Sequence, residues 1–183
     1  MTCSLVVNSK SGNTRMVSGA IKRALQAAGL EFVHEAALSD DADEDQVAIE
    51  AQGACAADTV LVGFWCDKGA WTPSVAALLS ALHGKRVFLF GTCGFGADQS
   101  YYQQIINRVT SNLAEDAELV GWARFQGKMG PAVKKRYDAM LEQEPENARY
   151  KMLLDNWFDA KDHPTKEDLD NMAAAAKKAV LGE

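Results

Sequence analysis

The sequence predicts a doubly wound, open α/β sheet of five strands, and three observations carry that prediction. Four short apolar runs, Ser4 to Val7, Thr59 to Phe64, Arg86 to Phe90 and Leu119 to Phe125, are near-continuous in Val, Leu and Phe. That is the pattern of parallel strands buried on both faces. Stretches of helical periodicity separate the runs, and the alternation continues to about Phe125, which calls for crossover connections.

In chain order, the first run feeds a helix in which Met16, Val17, Ala20, Ile21, Ala24 and Leu25 share a face and which Gly29 closes. Glu31 to Glu35 is a weaker strand candidate, and Val47 to Ala57 a helix of less clear period. After the run from Thr59, the residues Val75, Leu78, Leu79 and Leu82 repeat the helical spacing. There Thr72 stands where a cap is needed, Pro73 at the first helical position and Gly84 at the stop. Tyr102, Ile105, Ile106, Val109 and Leu113 form the helix before the last strand.

The tail leaves this rhythm. Val133, Tyr137, Met140 and Leu141 mark one amphipathic stretch, and Tyr150, Leu153, Leu154, Trp157 and Phe158 a stronger one. Pro164 discourages a helix before it, while Thr165 with Asp168 spells a capping box opening a final helix over Leu169 to Leu181. Gly127 to His163 therefore reads as an inserted helical pair, expected to pack over one sheet face. A length of 183 residues fits one domain spanning 1–183.

Composition narrows the function. A hydrophobic fraction of 48% and a charged fraction of 24% are those of an ordinary globular chain. No run of eighteen apolar residues and no secretion leader is visible, so a cytoplasmic protein without a membrane partner is expected. A net charge of −6 without a basic stripe argues against nucleic acid and fits a basic protein partner. Cys3, Cys55, Cys66 and Cys93 form no C-x-x-C pair, and His34, His83 and His163 are scattered, so no metal site is expected. His83, just before Gly84, suits a helix-end cap. No Ser-His-Asp set or carboxylate pair stands out, and no catalytic residue is assigned. Glu35 to Asp45 holds six acidic groups and no base; it reads either as a solvated loop or as charge that steers a basic partner.

The segment after the first strand is the most informative. Ser9, Lys10, Ser11, Gly12, Asn13 and Thr14 combine hydroxyls, an amide and a glycine where a strand hands over to a helix. Gly12 lets the chain turn its N–H groups inward, and the helix aims its positive dipole end there, which makes a phosphate cup without a metal. The same residues would equally serve an ordinary helix start capped by Asn13 or Ser11. A Walker loop is absent, and "GTCGFG" at Gly91 to Gly96 has neither the spacing nor the place of a dinucleotide fingerprint.

"SKSGNT" resembles the phosphate loop of the flavodoxin family, T-x-T-G-N-T, with serine twice in place of threonine. The resemblance spans Cys3 to about Phe125 and resumes at "HPTKEDL". "GFWCDKG" and "FQGKMGP" are more specifically similar to the flavodoxin-type proteins found beside bilirubin reductases. The helical insertion and the absence of a Pro-Thr-Trp order in the ring loop depart from a minimal flavodoxin.

This resemblance implies strand order 2-1-3-4-5, with the helical insertion placed before the last helix as an addition to it, and FMN bound noncovalently across the switch point. It implies that the loops "FWCDKGAWTP" and "GTCGFGADQSYY" sandwich the isoalloxazine ring, with Trp65 and Trp71 from the first and Phe95 and Tyr101 from the second. Phe64, Cys66, Asp67, Lys68 and Gly69 on one side, and Thr92, Cys93, Gly94 and Gly96 on the other, would complete the cofactor site. Core packing explains Trp71, Tyr101, Cys66 and Cys93 about as well. The implied activity is electron delivery to a tetrapyrrole-reducing partner. Two alternatives stay open: an NAD(P)H-dependent flavin or quinone reductase, and a flavin-free accessory acting on a reductase through the Gly127 to His163 helices.

Overall fold

Alternate residues along the central strands face opposite ways, and this period of two builds two apolar layers. Val6, Val60, Val62, Val87 and Leu89 face one side, where they pack with Val47 and Ala51, Leu78 and Leu79, and Ile105 and Val109. Leu5, Val7, Leu61, Phe88 and Phe90 face the other, against Val17, Ile21 and Leu25 and against Met172, Ala176 and Val180. Each such side chain taken fully out of water contributes about 1.5–3 kcal/mol.

The computed structural model describes residues 1–66, 69–96 and 99–182, except the side chain of residue 99. Five parallel strands run β1 (Thr2–Asn8), β2 (Glu31–Leu38), β3 (Thr59–Cys66), β4 (Arg86–Cys93) and β5 (Glu118–Gln126). Their order is β2-β1-β3-β4-β5, as the resemblance implied. The helices are α1 (Asn13–Ala27), α2 (Glu44–Ala54), α3 (Pro73–Ser80), α4 (Gln99–Thr110), α5 (Pro131–Gln143), α6 (Ala148–Ala160) and α7 (Lys166–Leu181). Of these, α1 and α7 cover one sheet face, and α2, α3 and α4 the other. No described helix is long and apolar enough to cross a membrane.

A close approach locks the two central strands. Gly63 pairs with Phe90 and Phe64 with Gly91. A Cβ on Gly63 would meet the Phe90 ring at 2.4 Å, and one on Gly91 the Phe64 ring at 2.8 Å. Each phenyl ring thus occupies the space its partner's missing side chain leaves, on opposite faces of the sheet.

Several boundaries differ from the sequence expectation. β2 runs on to Leu38, so Glu35 lies within a strand and pairs with Lys22 at 2.6 Å rather than belonging to an acidic loop. Helix α2 opens at Glu44, because Asp43 and Gln46 form a capping box. Neither Asn13 nor Ser11 caps α1; Gly12 does, in the left-handed region at φ 88°. Helix α3 ends at Ser80, ahead of Gly84, and His83 leaves the helix end to pair with Asp116 at 2.9 Å. Met16 is largely exposed rather than on the buried face. The capping box of Thr165 and Asp168 forms as expected, with α7 starting at Lys166.

The inserted pair corrects another expectation. No residue of α5 or α6 belongs to either apolar layer. The pair does not cover a sheet face, because α1 and α7 on one side and α2, α3 and α4 on the other already fill both. It stands instead at the carboxyl edge of the strands.

Candidate functional site

At that edge a cavity of about 570 Å³ opens among the loops. Its inner wall brings Lys10, Ser11 and Asn13 of the first loop together with Trp65, Cys66 and Gly69 after β3. Thr92, Cys93, Gly94, Phe95 and Tyr101, from the end of β4 to the first turn of α4, complete that wall. Three loops far apart in sequence therefore meet in one place because parallel strands deliver all their carboxyl ends to one edge. The size falls within the range of small-molecule and cofactor pockets.

The turn after β1 is built to present donors. The main-chain N–H groups of Ser11, Gly12, Asn13 and Thr14 meet no acceptor among the described residues, whereas that of Arg15 reaches Ser9 Oγ at 3.3 Å. Unfilled donors at a helix start attract anions, and the left-handed Gly12 gives the chain the turn that gathers them. Asn13 Nδ2 donates to Ser11 Oγ at 3.0 Å and to the Lys128 carbonyl at 2.9 Å. Asn13 Oδ1 is buried without a hydrogen-bond partner, which leaves an acceptor waiting for a hydroxyl or amide. Thr14 is fully buried and shares a hydrogen bond of 2.9 Å with Thr92, so its hydroxyl ties the turn to β4.

Trp65 is held rather than loose. Its indole N–H donates to Asp40 Oδ1 at 2.8 Å, and the Asn8 amide donates to the same oxygen at 2.8 Å. Lys10 lies over the Trp65 ring at 4.9 Å and 3.9 Å from Asp40. Asp40, read from sequence only as surface charge, is thus the hinge between the first and third loops. On the opposite loop, Phe95 and Tyr101 meet edge to face at 6.2 Å, and Tyr102 Oη donates to the Phe95 carbonyl at 2.7 Å.

Cys66 and Cys93 are register partners at the ends of β3 and β4 and carry buried thiols. A hydrogen bond with Cys66, then burial, pushes the Cys93 thiol far above its ordinary range. It therefore stays protonated at neutral pH and is a poor nucleophile. Burial likewise pushes the Cys3 thiol up to about 11 and raises the Tyr101 hydroxyl.

The remaining expected site residues fall as follows. Phe64 is in the core over Gly91. Trp71 is half-buried against the apolar layer of α2, α3 and α4 and does not line the cavity. Ser9 lines a neighbouring cleft with Arg15 and Asp40. Gly96 donates its N–H to Asn156 Oδ1 at 2.7 Å. Asp67 and Lys68 lie outside the described residues.

The outer wall was missed from sequence. Met129, Val133, Tyr137, Met152 and Leu153, with Lys128, Arg136 and Arg149, face the same cavity. Asn156 fastens this wall: it accepts from the Gly96 amide and from Gln126 Nε2 at 3.1 Å, and donates to the Gly94 carbonyl at 3.1 Å. Lys128 N donates to the His163 carbonyl at 2.9 Å, closing the base of the insertion. The amphipathic stretches were visible, but a single asparagine on a polar helix face gives no signal of being buried.

A 2-1-3-4-5 sheet with a donor-rich turn after its first strand, facing aromatic loops after its third and fourth, defines a flavodoxin-type protein. The chain belongs to the flavodoxin domain family, whose model matches residues 4–177. It is 34% identical over 176 residues to the flavodoxin-like domain-containing protein BilS of Clostridium symbiosum (strain WAL-14163), covering 92% of this chain and 90% of that one. A protein of the same name from Clostridioides difficile (strain CD3) is 31% identical over 124 residues, 68% of this chain and 70% of that one. The likeness to these two proteins agrees with the narrower resemblance read from the sequence. Among solved structures, oxidised flavodoxin 2 from Bacillus cereus superposes with a TM-score of 0.60 at 16% identity, covering all of both chains. The flavodoxin of Streptococcus pneumoniae TIGR4 gives 0.58 at 14%, again over all of both.

Proposed function

We propose that the protein binds FMN noncovalently in this cavity and passes electrons to a partner reductase, of the class that reduces tetrapyrroles such as bilirubin. One observation carries the reading: unfilled N–H donors of the turn after β1 border the cavity that Trp65, Phe95 and Tyr101 also line. A dianionic phosphate suits the donors at Ser11 to Thr14, and a ribityl hydroxyl suits the unpartnered Asn13 Oδ1. The ring would lie among Trp65, Tyr101 and the backbone of Cys66, Gly69, Cys93 and Gly94.

FMN supplies the electron chemistry when bound; the chain binds, orients and tunes. Backbone groups beside the ring favour one charge state, and each tenfold preference shifts a one-electron potential by about 59 mV. Asp40 fixes the Trp65 indole, and the Thr14–Thr92 bond keeps the turn at a set distance from β4. The names of the two relatives and the family support a flavin protein; the tetrapyrrole role rests on the resemblance of the two motifs.

The test is an absorption spectrum and affinity measured with FMN and with riboflavin. The wild type takes up both, FMN more tightly, and Ser11→Ala combined with Gly12→Ala weakens FMN at least about tenfold more than riboflavin. Equal weakening of both would remove the phosphate from this turn. A protein that stays colourless with FMN would overturn the cofactor altogether. Bleaching of bound FMN by NADPH alone, with quinone turnover, would replace the carrier with a reductase.

A further inference from the structure

Acidic groups outnumber basic ones by six over the chain, yet the wall that α5 and α6 turn to the cavity is basic. On α5, Val133, Arg136 and Tyr137 stand at i, i+3 and i+4; on α6, Arg149, Met152 and Leu153 repeat the spacing. All six line the cavity. Two other cations of the insertion are paired locally, Lys134 with Asp138 at 2.9 Å and Lys151 with Glu146 at 2.9 Å, whereas Lys128 lines the cavity beside the arginines. Among the described residues, neither Arg136 nor Arg149 has a carboxylate within ion-pair distance, and no carboxylate lines the cavity. Arg149 also sits in the first turn of α6, where the positive end of the helix dipole disfavours a cation. Helix stability does not account for it. The neighbouring Met152 is 47% exposed and offers an adaptable apolar surface.

We propose that this face is a second binding site, for a small amphipathic organic anion. Its apolar body rests on Val133, Met152 and Leu153, and its carboxylates or sulfonates take the guanidinium forks of Arg136 and Arg149. The ligand shares the cavity with the loops assigned above to the flavin ring. The inference rests on that assignment for the identity of its neighbour only; the turn after β1 provides for the cofactor's phosphate and leaves these two arginines over.

The test titrates the full chain with 8-anilinonaphthalene-1-sulfonate and with its uncharged relative N-phenyl-1-naphthylamine, both of which fluoresce in apolar surroundings. The wild type binds the sulfonate at one saturable site. Arg136→Gln combined with Arg149→Gln weakens it at least about tenfold and leaves the uncharged dye within about twofold. Equal loss of both dyes, or no loss of the sulfonate, would overturn the site. So would a fall in FMN affinity with riboflavin unaffected, since the arginines would then serve the cofactor's phosphate. Failure of the wild type to take up FMN would sink the cofactor reading, while the contrast between the two dyes would still decide this one.

Discussion

Phe88 in β4 and Asn156 in α6 are both buried, at 0% and 7% exposure, but they hold their surroundings by opposite means. Phe88 sits in a layer of apolar side chains fed by the sheet, α1 and α7. Asn156 sits among polar groups and joins a helix to the loop after β4 and to the end of β5 by three hydrogen bonds. The first arrangement is non-directional and cumulative. The second depends on a few atoms and keeps the cavity between insertion and sheet open instead of collapsing it. The α/β body thus carries stability, and the insertion carries geometry.

The comparison can be broken from either end. Phe88→Ala should cost about 3–5 kcal/mol in urea unfolding, the range for deleting a buried aromatic ring; a loss below 1 kcal/mol would mean that this layer is not the stabilising one. Asn156→Ala should cost less overall, about 1–3 kcal/mol, because it strands the Gly96 amide and leaves the Gly94 carbonyl only its longer bond from Gln126 Nε2 at 3.3 Å. Hydrogen exchange should show the difference in kind, with faster exchange confined to Gly96 and α6 while β1, β3 and β4 keep their protection. Thr165→Ala removes half of the capping box at the start of α7 and should cost about 1 kcal/mol, read from the same urea curves.

The smallest effect is a pH dependence at the same cap. Burial opposes the Asp168 charge, but hydrogen bonds from Thr165 and His163 outweigh burial and hold the carboxyl below its ordinary value. The folded protein therefore releases that proton more readily than the unfolded chain. The stabilisation is fully present above the unfolded carboxylate range, near pH 4, and fades as the pH falls through the lower folded value. Asp168→Asn should flatten this part of an acid unfolding profile; an unchanged profile would show that the cap carries no net charge effect.

What the sequence disclosed follows from the same contrast. Strands buried on both faces announced themselves as apolar runs: β1, β3, β4 and the cap of α7 were legible. Edge strand β2 was read short because its burial alternates, so Ala36 and Ala37 look no different from a loop. The first loop was legible as a donor-rich turn, since glycine and small polar residues there have few other uses. Asp40 and Asn156 were not, because an acid or an amide looks the same in a sequence whether it lies in solvent or pins a tryptophan. The cavity face of α5 and α6 was hidden as well, its three-residue patterns interrupted by arginines that ordinary core reasoning assigns to solvent.

The interleaved glycines and phenylalanines of β3 and β4 act as a dowel between two planks. Sliding one strand by a residue would drive both rings into backbone, so the tips at Trp65 and Thr92 keep a fixed spacing whatever sequence the connecting segments above them adopt. Variation can accumulate in those segments without loosening their foundation, and exchange of either glycine for alanine would be felt first at the far end of the strands.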